Sequence, residues 1–501
     1  MPGLERLSPA SADLARRTLR WCDTFWDEER GLPRVPDAAG YSGPGVPEGT
    51  LHLVPQSAWL AFGLLLRRDP ETRDVERALR ILRELVALQY DKPGKPWHGS
   101  FARFAESPVP RKGAVEWLDY DPNWRQFLGT AFIATLHCFG PLLPDELVDA
   151  LDEALVLTVE GEPPDRVAPS YSNIALLRAF LEVEVGARGG RLEWVSRGEA
   201  LARAVGERFD RHGVFEEYNS PTYYGLDLFA LALWRGLSSS PWLRNEGSRL
   251  EAALWRDVAR WYHPGLRNLC GPYSRTYGMD MNAYVSLLGL WIWAGLGPEC
   301  APLPPLEPDA EHGHDFFLGS LVAVLGAAVP EVARGAFAGA VSPRTVRQRI
   351  SDEPSRTATA TFEPGWMAGA EESTLDLSGW EQYVAVTLHW RHPGGEVAWL
   401  AVRAPGPSQA RAVKSGLRIE WPAPERADGE GPLVVRIRAR GVAESDFSGD
   451  RWRLPGLELG VETVLELDAL SIRPSGAKLS FRRPRPGTSA GLGLRVIEER
   501  R

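Results

Sequence analysis

The sequence predicts two domains of different secondary structure: an (α/α) toroid of helical hairpins over residues 1–305 and an antiparallel β-sandwich over residues 315–501. Three observations support this fold class. The chain has 501 residues, which exceeds the roughly 250–300 residues at which a single hydrophobic core stops growing. Apolar residues recur at three- and four-residue spacing through the first 300 positions. After them, short alternating apolar runs are separated by glycine and proline.

The helical region is divided by short turns that are rich in Gly, Pro and helix-capping residues. The spacing predicts helices over residues 12–26, 55–66, 75–89, 124–138, 145–157, 172–185, 199–209, 223–237, 249–262 and 281–294. No sequence repeat of fixed length connects these segments, which disfavours a solenoid. A closed ring of antiparallel helical hairpins fits the pattern better.

A segment rich in Pro and charged residues, 302–315, marks the domain boundary, and residues 316–329 are predicted to form one more helix. The following sequence predicts strands over residues 357–362, 383–390, 397–402, 416–421, 433–439, 461–467 and 479–482. Short, regularly spaced strands with turn residues between them are typical of an antiparallel sandwich.

Composition excludes several classes of protein. With 57 basic and 66 acidic residues the formal net charge is −9, which argues against a nucleic-acid binder. An acidic protein can still bind an acidic polysaccharide through a local basic cleft. No run of 18 apolar residues predicts a membrane span. The N-terminus lacks the apolar region of a signal peptide. We therefore expect a cytoplasmic protein, or a secreted or periplasmic one if a signal peptide has been removed.

The chain contains 19 Trp and four Cys. The widely spaced cysteines predict buried free thiols rather than disulfides or a zinc site. Most tryptophans lie in helix-like runs and are expected in the core. Trp97, Trp117 and Trp124 instead lie in polar loops, where an indole ring can stack on a sugar. Beside them, His98 and Asn123 are further candidates for substrate binding, although a lone His is more often structural.

The segment 212–227, HGVFEEYNSPTYYGLD, is the strongest local signal for a site. It is a polar and aromatic loop that runs into the start of a helix, where functional residues often lie. Capping of that helix by Ser220 or Thr222 would explain its Ser-Pro-Thr part. Capping leaves Tyr218, Asn219 and the Tyr223–Tyr224 pair unexplained. A packed turn remains the alternative.

A second polar and aromatic segment, 268–284, contains Arg275 between Tyr273 and Tyr277. A guanidinium beside a phenol favours the phenolate, but an Arg stacked on Tyr for packing is equally compatible with the pattern. Asp280 and Tyr273 are candidates for substrate binding, and Asp280 could alternatively cap the next helix. Asn173, at the entrance to a third apolar helix, is either an N-cap or a hydrogen-bond donor to a substrate carboxylate.

Taken in order, Asn173, the Tyr-Tyr-Gly at 223–225 and Arg275 resemble the Asn, Tyr and Arg of polysaccharide lyases built from a toroid and a sandwich. These are the chondroitin AC/hyaluronate lyase and heparinase II/III-like groups. In chondroitin AC-type lyases a Gly-x-Phe loop leads to a catalytic His. Here the corresponding segment, 213–215, leads to Tyr218. Because this His is missing, either Tyr218 replaces it or His98 or His212 supplies the function.

The resemblance implies β-elimination on a uronate polysaccharide. Asn173, alone or together with Asn219, would neutralise the uronate carboxylate, as an oxyanion hole does. Tyr224 would act as the base or acid, with Tyr223 or Tyr218 as the second group. Arg275 would hold the phenolate or the carboxylate. The scheme requires no metal or cofactor. It requires Asn173, Tyr224 and Arg275 to meet in one cleft.

Two other functions remain open. A toroidal glycoside hydrolase would need two carboxylates that flank the scissile bond; the available ones are Asp119, Asp121, Glu216, Glu217, Asp227 and Asp280. A non-catalytic carbohydrate-binding protein would need none. His312 and His314 form a weak candidate metal site. The sequence leaves open which uronate polysaccharide is bound, whether action is endo or exo, and the oligomeric state.

Overall fold

The structure, a computed structural model, describes residues 1–35, 46–421, 431–482 and 490–499. Within these ranges the α-helices are Pro9–Asp23 (α1), Pro55–Arg67 (α2), Asp74–Ala87 (α3), Trp124–Phe139 (α4), Asp145–Glu160 (α5), Ser172–Arg188 (α6), Leu192–His212 (α7), Tyr223–Leu237 (α8), Pro241–Trp261 (α9), Leu287–Leu296 (α10), Gly319–Leu325 (α11) and Glu331–Arg334 (α12). No helix in the described ranges is long and apolar enough to cross a membrane.

The chain divides into two compact units. The first comprises Met1–Arg208, Tyr223–Ala253 and Ala283–Val329, and the second comprises Phe209–Thr222, Leu254–Asn282 and Pro330–Arg501. The predicted boundary between residues 305 and 315 therefore differs from the structure. Two segments from the helical half of the sequence belong to the second unit because they bond to its C-terminal part. Gln348 donates a hydrogen bond to the carbonyl of His212, and Tyr273 pairs with Val384 through main-chain hydrogen bonds.

The first unit contains a closed ring of helices. Helices α1, α2, α4, α6, α8 and α10 each contact the next, and α10 contacts α1. Outside this cycle α3 contacts α2 and α5, and α5 contacts α4 and α6. The short helix α11 is almost wholly buried and contacts α1, α2, α8 and α10. This closed cycle with additional outer helices is the predicted (α/α) toroid.

The ring helices α4, α6, α8 and α10 begin at the same end of the ring. The side chains of Asn123 and Tyr171, which directly precede α4 and α6, are joined by a hydrogen bond. Ser172, the first residue of α6, lies 3.5 Å from the carboxylate of Asp227 in the second turn of α8. The indole of Trp291, near the start of α10, donates a hydrogen bond to the carbonyl of Gly225 in α8. The first turns of these helices are therefore neighbours in the first unit.

The second unit is built on antiparallel strands. Among the described residues the strands of the whole chain are Trp26–Asp27 (β1), Leu32–Pro33 (β2), Tyr262–His263 (β3), Asn268–Leu269 (β4), Arg344–Ser351 (β5), Arg356–Glu363 (β6), Trp366–Ser373 (β7), Val386–Arg391 (β8), Val397–Arg403 (β9), Gln409–Val413 (β10), Gly416–Trp421 (β11), Leu433–Arg438 (β12), Phe447–Ser448 (β13), Arg451–Leu454 (β14), Leu457–Thr463 (β15), Leu467–Arg473 (β16), Gly476–Phe481 (β17) and Ala490–Glu499 (β18).

Strands β5 to β18 form two layers with one core. One layer has the order β5-β6-β7-β8-β9-β12-β17-β16, and the other has the order β13-β14-β15-β18-β11-β10. They are connected where Gln409 of β10 pairs with Glu372 of β7. Side chains of both layers, such as Leu400 and Leu459, belong to the same buried cluster. This arrangement is the predicted β-sandwich.

Several sequence predictions are sharpened by the structure. Residues 316–329 do not form one helix: a 3-10 helix, Gly313–Leu318, precedes α11, which ends before Gly326 because that residue has a left-handed φ of +64°. All four cysteines are buried and free, as predicted.

Candidate functional site

Asn173 and Tyr224 lie at the starts of neighbouring ring helices. Asn173 is the second residue of α6, and Tyr223 and Tyr224 are the first two residues of α8. Asp227 follows one turn later in α8. All four side chains are buried. Because several ring helices begin at this end, their main-chain N–H groups and dipoles favour negative charge there.

The glycine of the Tyr-Tyr-Gly sequence is explained by packing. A Cβ atom at Gly225 would lie 2.4 Å from the Cβ of Leu287 and 2.5 Å from the main-chain N of Leu288. Gly225 therefore allows α8 and α10 to pack closely at the end where Tyr223 and Tyr224 lie.

Two capping interpretations of the sequence are wrong. Helix α6 begins at Ser172, so Asn173 lies inside its first turn and is not the N-cap. Asp280 does not cap α10, whose N-cap is Ser286 with its hydroxyl accepting a hydrogen bond from the N–H of Gly289. Asp280 instead accepts hydrogen bonds from the main-chain and side-chain N–H groups of Asn282, and burial raises its pKa.

A buried cluster of charged residues holds the starts of α4 and α6. We name it the Glu162 cluster: Glu162 with Arg125, Gln126, Arg166 and Arg178. Arg166 makes a bidentate ion pair with Glu162 at 2.6 and 3.0 Å, and Gln126 donates to it at 2.8 Å. Arg125 and Arg178 approach it at 3.5 and 4.0 Å. One carboxylate thus holds guanidinium groups from different segments together.

This cluster extends to Asn123, which was predicted to bind substrate. Its Oδ1 accepts a hydrogen bond from Arg166 at 2.9 Å, and its Nδ2 donates to the hydroxyl of Tyr171 at 2.9 Å. Asn123 is buried and links the Glu162 cluster to the residue pair that opens α6. Its geometry is that of a residue that positions the neighbouring loops.

Asp121 lies beside this cluster and is unusual in its acidity. Its Oδ1 accepts a hydrogen bond from the main-chain N–H of Asn123 at 2.8 Å, which lowers the pKa. Burial has the larger effect and raises the pKa of Asp121 to about 6. A carboxyl group with such a pKa can donate a proton near neutral pH.

The predicted sugar platforms have different environments. Trp97 is buried and packs against Tyr120 at a ring-centroid distance of 5.4 Å, so it is a packing residue and not an open platform. Trp124 is half-buried against Phe127. Trp117 is 54% exposed and has a left-handed φ of +68°. Of these tryptophans, Trp117 has the most accessible ring.

The two histidines proposed to replace the missing base take part in local interactions. The Nδ1 of His98 accepts a hydrogen bond from the main-chain N–H of Lys92 and lies 3.6 Å from Asp91. The Nε2 of His212 lies 3.3 Å from Asp352, whose side chain is 71% exposed.

In the second unit, two loops from the helical half of the sequence are fastened to each other. Asn219, which has a left-handed φ of +54°, donates hydrogen bonds from its amide to the carbonyls of Cys270 and Pro272. The N–H of Ser274 donates to the carbonyl of Tyr218, whose buried ring packs edge-on against Trp261. These contacts explain why the sequence around Asn219 is polar.

Tyr273, another predicted binding residue, is fully buried. Its hydroxyl donates a hydrogen bond to the carbonyl of Leu269, and its ring makes an edge contact with His389. This hydroxyl and ring make packing contacts in the second unit, and the role of Tyr273 in substrate binding stays a prediction.

A buried guanidinium holds the same two loops. We name this group the Arg356 cluster: Arg356 of β6, Glu371 of β7, Ser274 and the carbonyl of Glu216. Arg356 makes a bidentate ion pair with Glu371 at 2.7 and 3.1 Å. It also donates to the hydroxyl of Ser274 at 2.7 Å and to the Glu216 carbonyl at 3.2 Å. The cluster fixes the residues next to Glu217 and Arg275.

Arg275 itself belongs to the second unit, where its contacts include the side chains of Gln382, Glu217 and Trp380. Its Nε donates to Oε1 of Gln382 at 2.8 Å, and its Nη1 lies 3.3 Å from Oε1 of Glu217. Its guanidinium carbon is 5.6 Å from the centre of the Trp380 ring, which is the geometry of a cation–π contact. The prediction that Arg275 meets Asn173 and Tyr224 in one cleft stays a prediction.

Metal ligation finds little support in the described parts of the chain, where no group of three or more His, Cys, Asp or Glu side chains could hold an ion. The candidates His312 and His314 have ring centroids 5.5 Å apart. Burial lowers the pKa of His314 to about 3 and raises that of the neighbouring Asp315 to about 8.

Sequence reasoning missed Tyr171, the Glu162 cluster, the Arg356 cluster, Gln382 and Trp380. A detectable signal existed for Glu371, since a carboxylate in the mostly small and apolar strand β7 needs a buried cation. Glu162 and Arg166 are four residues apart in a predicted loop, and nothing in their spacing indicates burial.

Comparisons with known proteins give a family but no activity. Residues 12–327 match DUF8769, described as a domain of unknown function. No curated protein matches the sequence. Among solved structures, heparinase III is similar at 8% identity and a TM-score of 0.41, covering 99% of this chain and 86% of that one.

Two xylan-related structures are also similar to this chain. One is a Rex8A mutant from Paenibacillus barcinonensis complexed with an arabinofuranosyl-xylotetraose, at 13% identity and a TM-score of 0.33. The other is a mutant of a reducing-end-xylose releasing exo-oligoxylanase, at 12% identity and a TM-score of 0.33. Each covers 66% of this chain and 95% of its own. Likeness at this level is too distant to transfer an activity.

Proposed function

The chain belongs to the DUF8769 family, and we propose that it is a polysaccharide lyase that cleaves a uronate-containing polysaccharide by β-elimination. One observation carries the proposal: Asn173 and Tyr224 are buried at the starts of two neighbouring ring helices, α6 and α8. A hydrogen-bonding amide and a phenol are the two side chains that this reaction needs.

The chemistry assigns a step to each group. The amide of Asn173 hydrogen-bonds the uronate carboxylate and stabilises the enolate that forms when C5 loses its proton. The Tyr224 phenolate takes that proton. The electron pair then forms the C4–C5 double bond, and the glycosidic bond at C4 breaks. Tyr223 returns a proton to the leaving oxygen. Atoms and electrons balance without an added reactant.

The helix ends support an anionic substrate. Helices α4, α6, α8 and α10 begin at one end of the ring, where their dipoles favour a carboxylate and the developing enolate. The Glu162 cluster adds fixed guanidinium groups beside α4 and α6. The surface of the protein as a whole is acidic, so this local positive character is what would attract a polyuronate.

A glycoside hydrolase is the second candidate, and one observation favours it. Asp121 has a pKa raised to about 6 by burial, as a general acid requires. Asp227, buried at the start of α8, would supply the second carboxylate. Hydrolysis leaves no double bond in the product, whereas β-elimination leaves a 4,5-unsaturated uronate that absorbs ultraviolet light.

The test is a screen of glucuronan, alginate and chondroitin with the purified chain, recording ultraviolet absorbance and new reducing ends together. We expect both signals to rise with one of the polymers. Tyr224→Phe should then lower kcat about 10²–10⁴-fold, and Asn173→Ala about 10²–10³-fold. The control is Tyr262→Phe, which removes the hydroxyl of a tyrosine that is equally buried but lies in β3.

Three results would contradict the lyase. New reducing ends without absorbance, abolished by Asp121→Asn, would identify the hydrolase. Full activity in Tyr224→Phe would exclude this tyrosine as the base. Binding of the polymer without any product, unchanged in Tyr224→Phe, would indicate a carbohydrate-binding protein.

A further inference from the structure

The outer face of one layer of the second unit carries a cluster of exposed basic residues. Within strands β9, β12 and β17, alternate side chains such as those of Leu400, Ile437 and Leu479 belong to the buried core. The residues between them lie on the opposite face, because successive side chains of a strand point to opposite sides of the sheet. The exposed cations of this face, which we name the Arg436 surface, are Arg436, Arg438, Arg473 and Lys478.

The strand register places these charges next to one another. Arg436 lies directly opposite Lys478, and Arg438 and Arg473 both lie opposite Gly476. Neighbouring strands are about 4.8 Å apart, and side chains two positions apart on one strand are separated by about 7 Å. Like charges directly opposite each other destabilise a sheet. The Arg436 surface therefore brings positive charges together at a cost to stability.

Within the described part of the chain, no anionic side chain neutralises the Arg436 surface. None of its side chains makes an ion pair or a hydrogen bond there. Burial raises the pKa of Asp280, and the charge of Arg438 opposes this effect, but the carboxyl group of Asp280 is held by Asn282. Burial lowers the pKa of Arg403 on the neighbouring strand β9, and the charge of Arg436 lowers it further. These side chains thus act on their surroundings as unpaired cations.

Protection of the sheet edge explains only part of this surface. Basic residues on an edge strand prevent pairing with other sheets, which accounts for Arg473 in the edge strand β16. Strands β12 and β17 lie inside the layer, so edge protection does not explain Arg436, Arg438 and Lys478. Solubility does not require them either, because the chain already has a net charge of −9. Unpaired cations concentrated on one face of an acidic protein indicate a surface that binds an anion.

We propose that the Arg436 surface binds an acidic polysaccharide along its chain, as a holding site in addition to the residues that react with the polymer. Cations spread over three strands suit a ligand with repeated negative charges better than a single small anion. Trp399 of β9 lies opposite Arg438 on the same face and is half-buried, so aromatic surface borders the cations. The choice of a uronate polymer rests on the proposed function. Every contact that supports the surface lies within the second unit.

The experiment measures binding by titration calorimetry on the full chain at low ionic strength. The probes are glucuronan, alginate and chondroitin, each compared with its carboxyl-reduced counterpart. We expect at least one polymer to bind more tightly in its acidic form than in its reduced form. The double variant Arg436→Gln, Lys478→Gln should bind the acidic form about 10-fold more weakly. Its binding should also depend less on salt, because fewer ionic contacts remain to be screened.

The matched control is the double variant Lys414→Gln, Arg418→Gln. It removes the same charge, one Lys and one Arg, from exposed positions in or directly before β11, a strand of the other layer. Binding should stay unchanged in this control. Thermal unfolding checks the fold: loss of Arg436 and Lys478 should leave the unfolding temperature unchanged or raise it, since repulsion is removed. Equal weakening in the two double variants would show that net charge alone governs binding, which overturns the proposal.

A second measurement separates a sugar chain from other polyanions. The comparison probes are inorganic polyphosphate, which has no sugar ring, and double-stranded DNA. Trp399→Ala should weaken binding of the acidic polysaccharide about 3- to 10-fold and leave binding of polyphosphate unchanged. Tighter binding of polyphosphate or DNA than of all three polysaccharides would overturn the assignment to a sugar chain.

Cleavage assays with the same variants distinguish this proposal from the proposed function. The double variant Arg436→Gln, Lys478→Gln should raise KM for the polymer and leave kcat unchanged, because neither residue is assigned to the reaction. Unchanged binding and unchanged KM in this variant would overturn the holding site while the lyase stands. Binding that depends on the Arg436 surface, without cleavage of any polymer, would overturn the lyase while the holding site stands. Failure of the wild-type chain to bind any of the acidic polymers would overturn the holding site.

Discussion

Each unit contains a buried charged cluster next to candidate residues, and these two clusters are built in opposite ways. In the first unit a single carboxylate, Glu162, serves the guanidinium groups of Arg125, Arg166 and Arg178. In the second unit a single guanidinium, Arg356, has one carboxylate partner, Glu371, and two neutral acceptors. Both clusters fasten loops that the sequence alone leaves unconnected.

The two clusters differ in the hydrogen-bond acceptors that their arginines keep when the central carboxylate, Glu162 or Glu371, is removed. Arg125 also donates hydrogen bonds to the carbonyls of His98, Pro122 and Pro96. Arg178 also pairs with Glu182 at 2.7 Å. The cations of the Glu162 cluster therefore keep other acceptors. The hydrogen bonds that Arg356 keeps without Glu371 go to a hydroxyl and one carbonyl. We infer that the Arg356 cluster tolerates loss of its carboxylate less well.

The largest effect is expected for Glu371→Ala. It leaves a buried guanidinium without its counter-charge, and the free energy of unfolding should fall by about 3–5 kcal/mol. Urea denaturation of the full chain measures this change. The neighbouring residue provides the control: Glu372 pairs with the exposed Arg411, so Glu372→Ala should cost at most about 1 kcal/mol. Equal losses for the two variants would refute the role of the buried pair.

Glu162→Ala should cost less, about 2–3 kcal/mol, because its cations keep carbonyl and carboxylate acceptors. The same denaturation measures it. Glu160, which forms an exposed ion pair with Arg191, supplies the control variant Glu160→Ala. A loss for Glu162→Ala larger than that for Glu371→Ala would reverse the proposed difference between the clusters.

A third prediction concerns Asp121, which lies beside the Glu162 cluster, and the effect of its ionisation on the stability of the chain at different pH. Burial raises the pKa of Asp121 in the folded state to about 6, well above the usual value of an aspartate. The folded chain thus holds a proton that the unfolded chain has lost. Stability should fall as pH rises from about 4 to 6, by about 1–3 kcal/mol. Asp121→Asn should show a smaller fall over this range, because other buried carboxyl groups such as Asp315 still contribute to it. A wild-type profile that matches the variant would mean that Asp121 titrates normally.

The sequence predicts one unit more completely than the other. The sequence identifies all six ring helices, because each contains a run of at least ten residues that is rich in apolar side chains. Of the strands β5 to β18, the sequence does not predict β5, β7, β10, β13, β14, β16 and β18. Strand β7 is buried on both faces and contains small residues, so it lacks alternation. Strand β16 is mostly exposed and lacks an apolar face.

The residues of the candidate site also fall into two groups: those that the sequence identifies and those that only the fold reveals. Residues at helix starts, such as Asn173 and Tyr224, can be identified from the sequence because a polar and aromatic loop is followed there by an apolar helical segment. Partners such as Gln382 and Arg356 lie more than 80 positions from Arg275 and Ser274, and only the fold joins them. Local spacing has no information about such pairs.

The smallest effects should come from the outer members of the clusters, and they test whether both clusters position loops. Tyr171→Phe removes the hydroxyl that accepts from Asn123, and Ser274→Ala removes the one that accepts from Arg356. Each loss should cost about 1 kcal/mol. Ser274→Ala should cost the more of the two, because its lost partner is charged and buried. Denaturation of each variant measures this order, and equal stability of Ser274→Ala and the wild type would show that the Arg356 cluster does not depend on its loop contact.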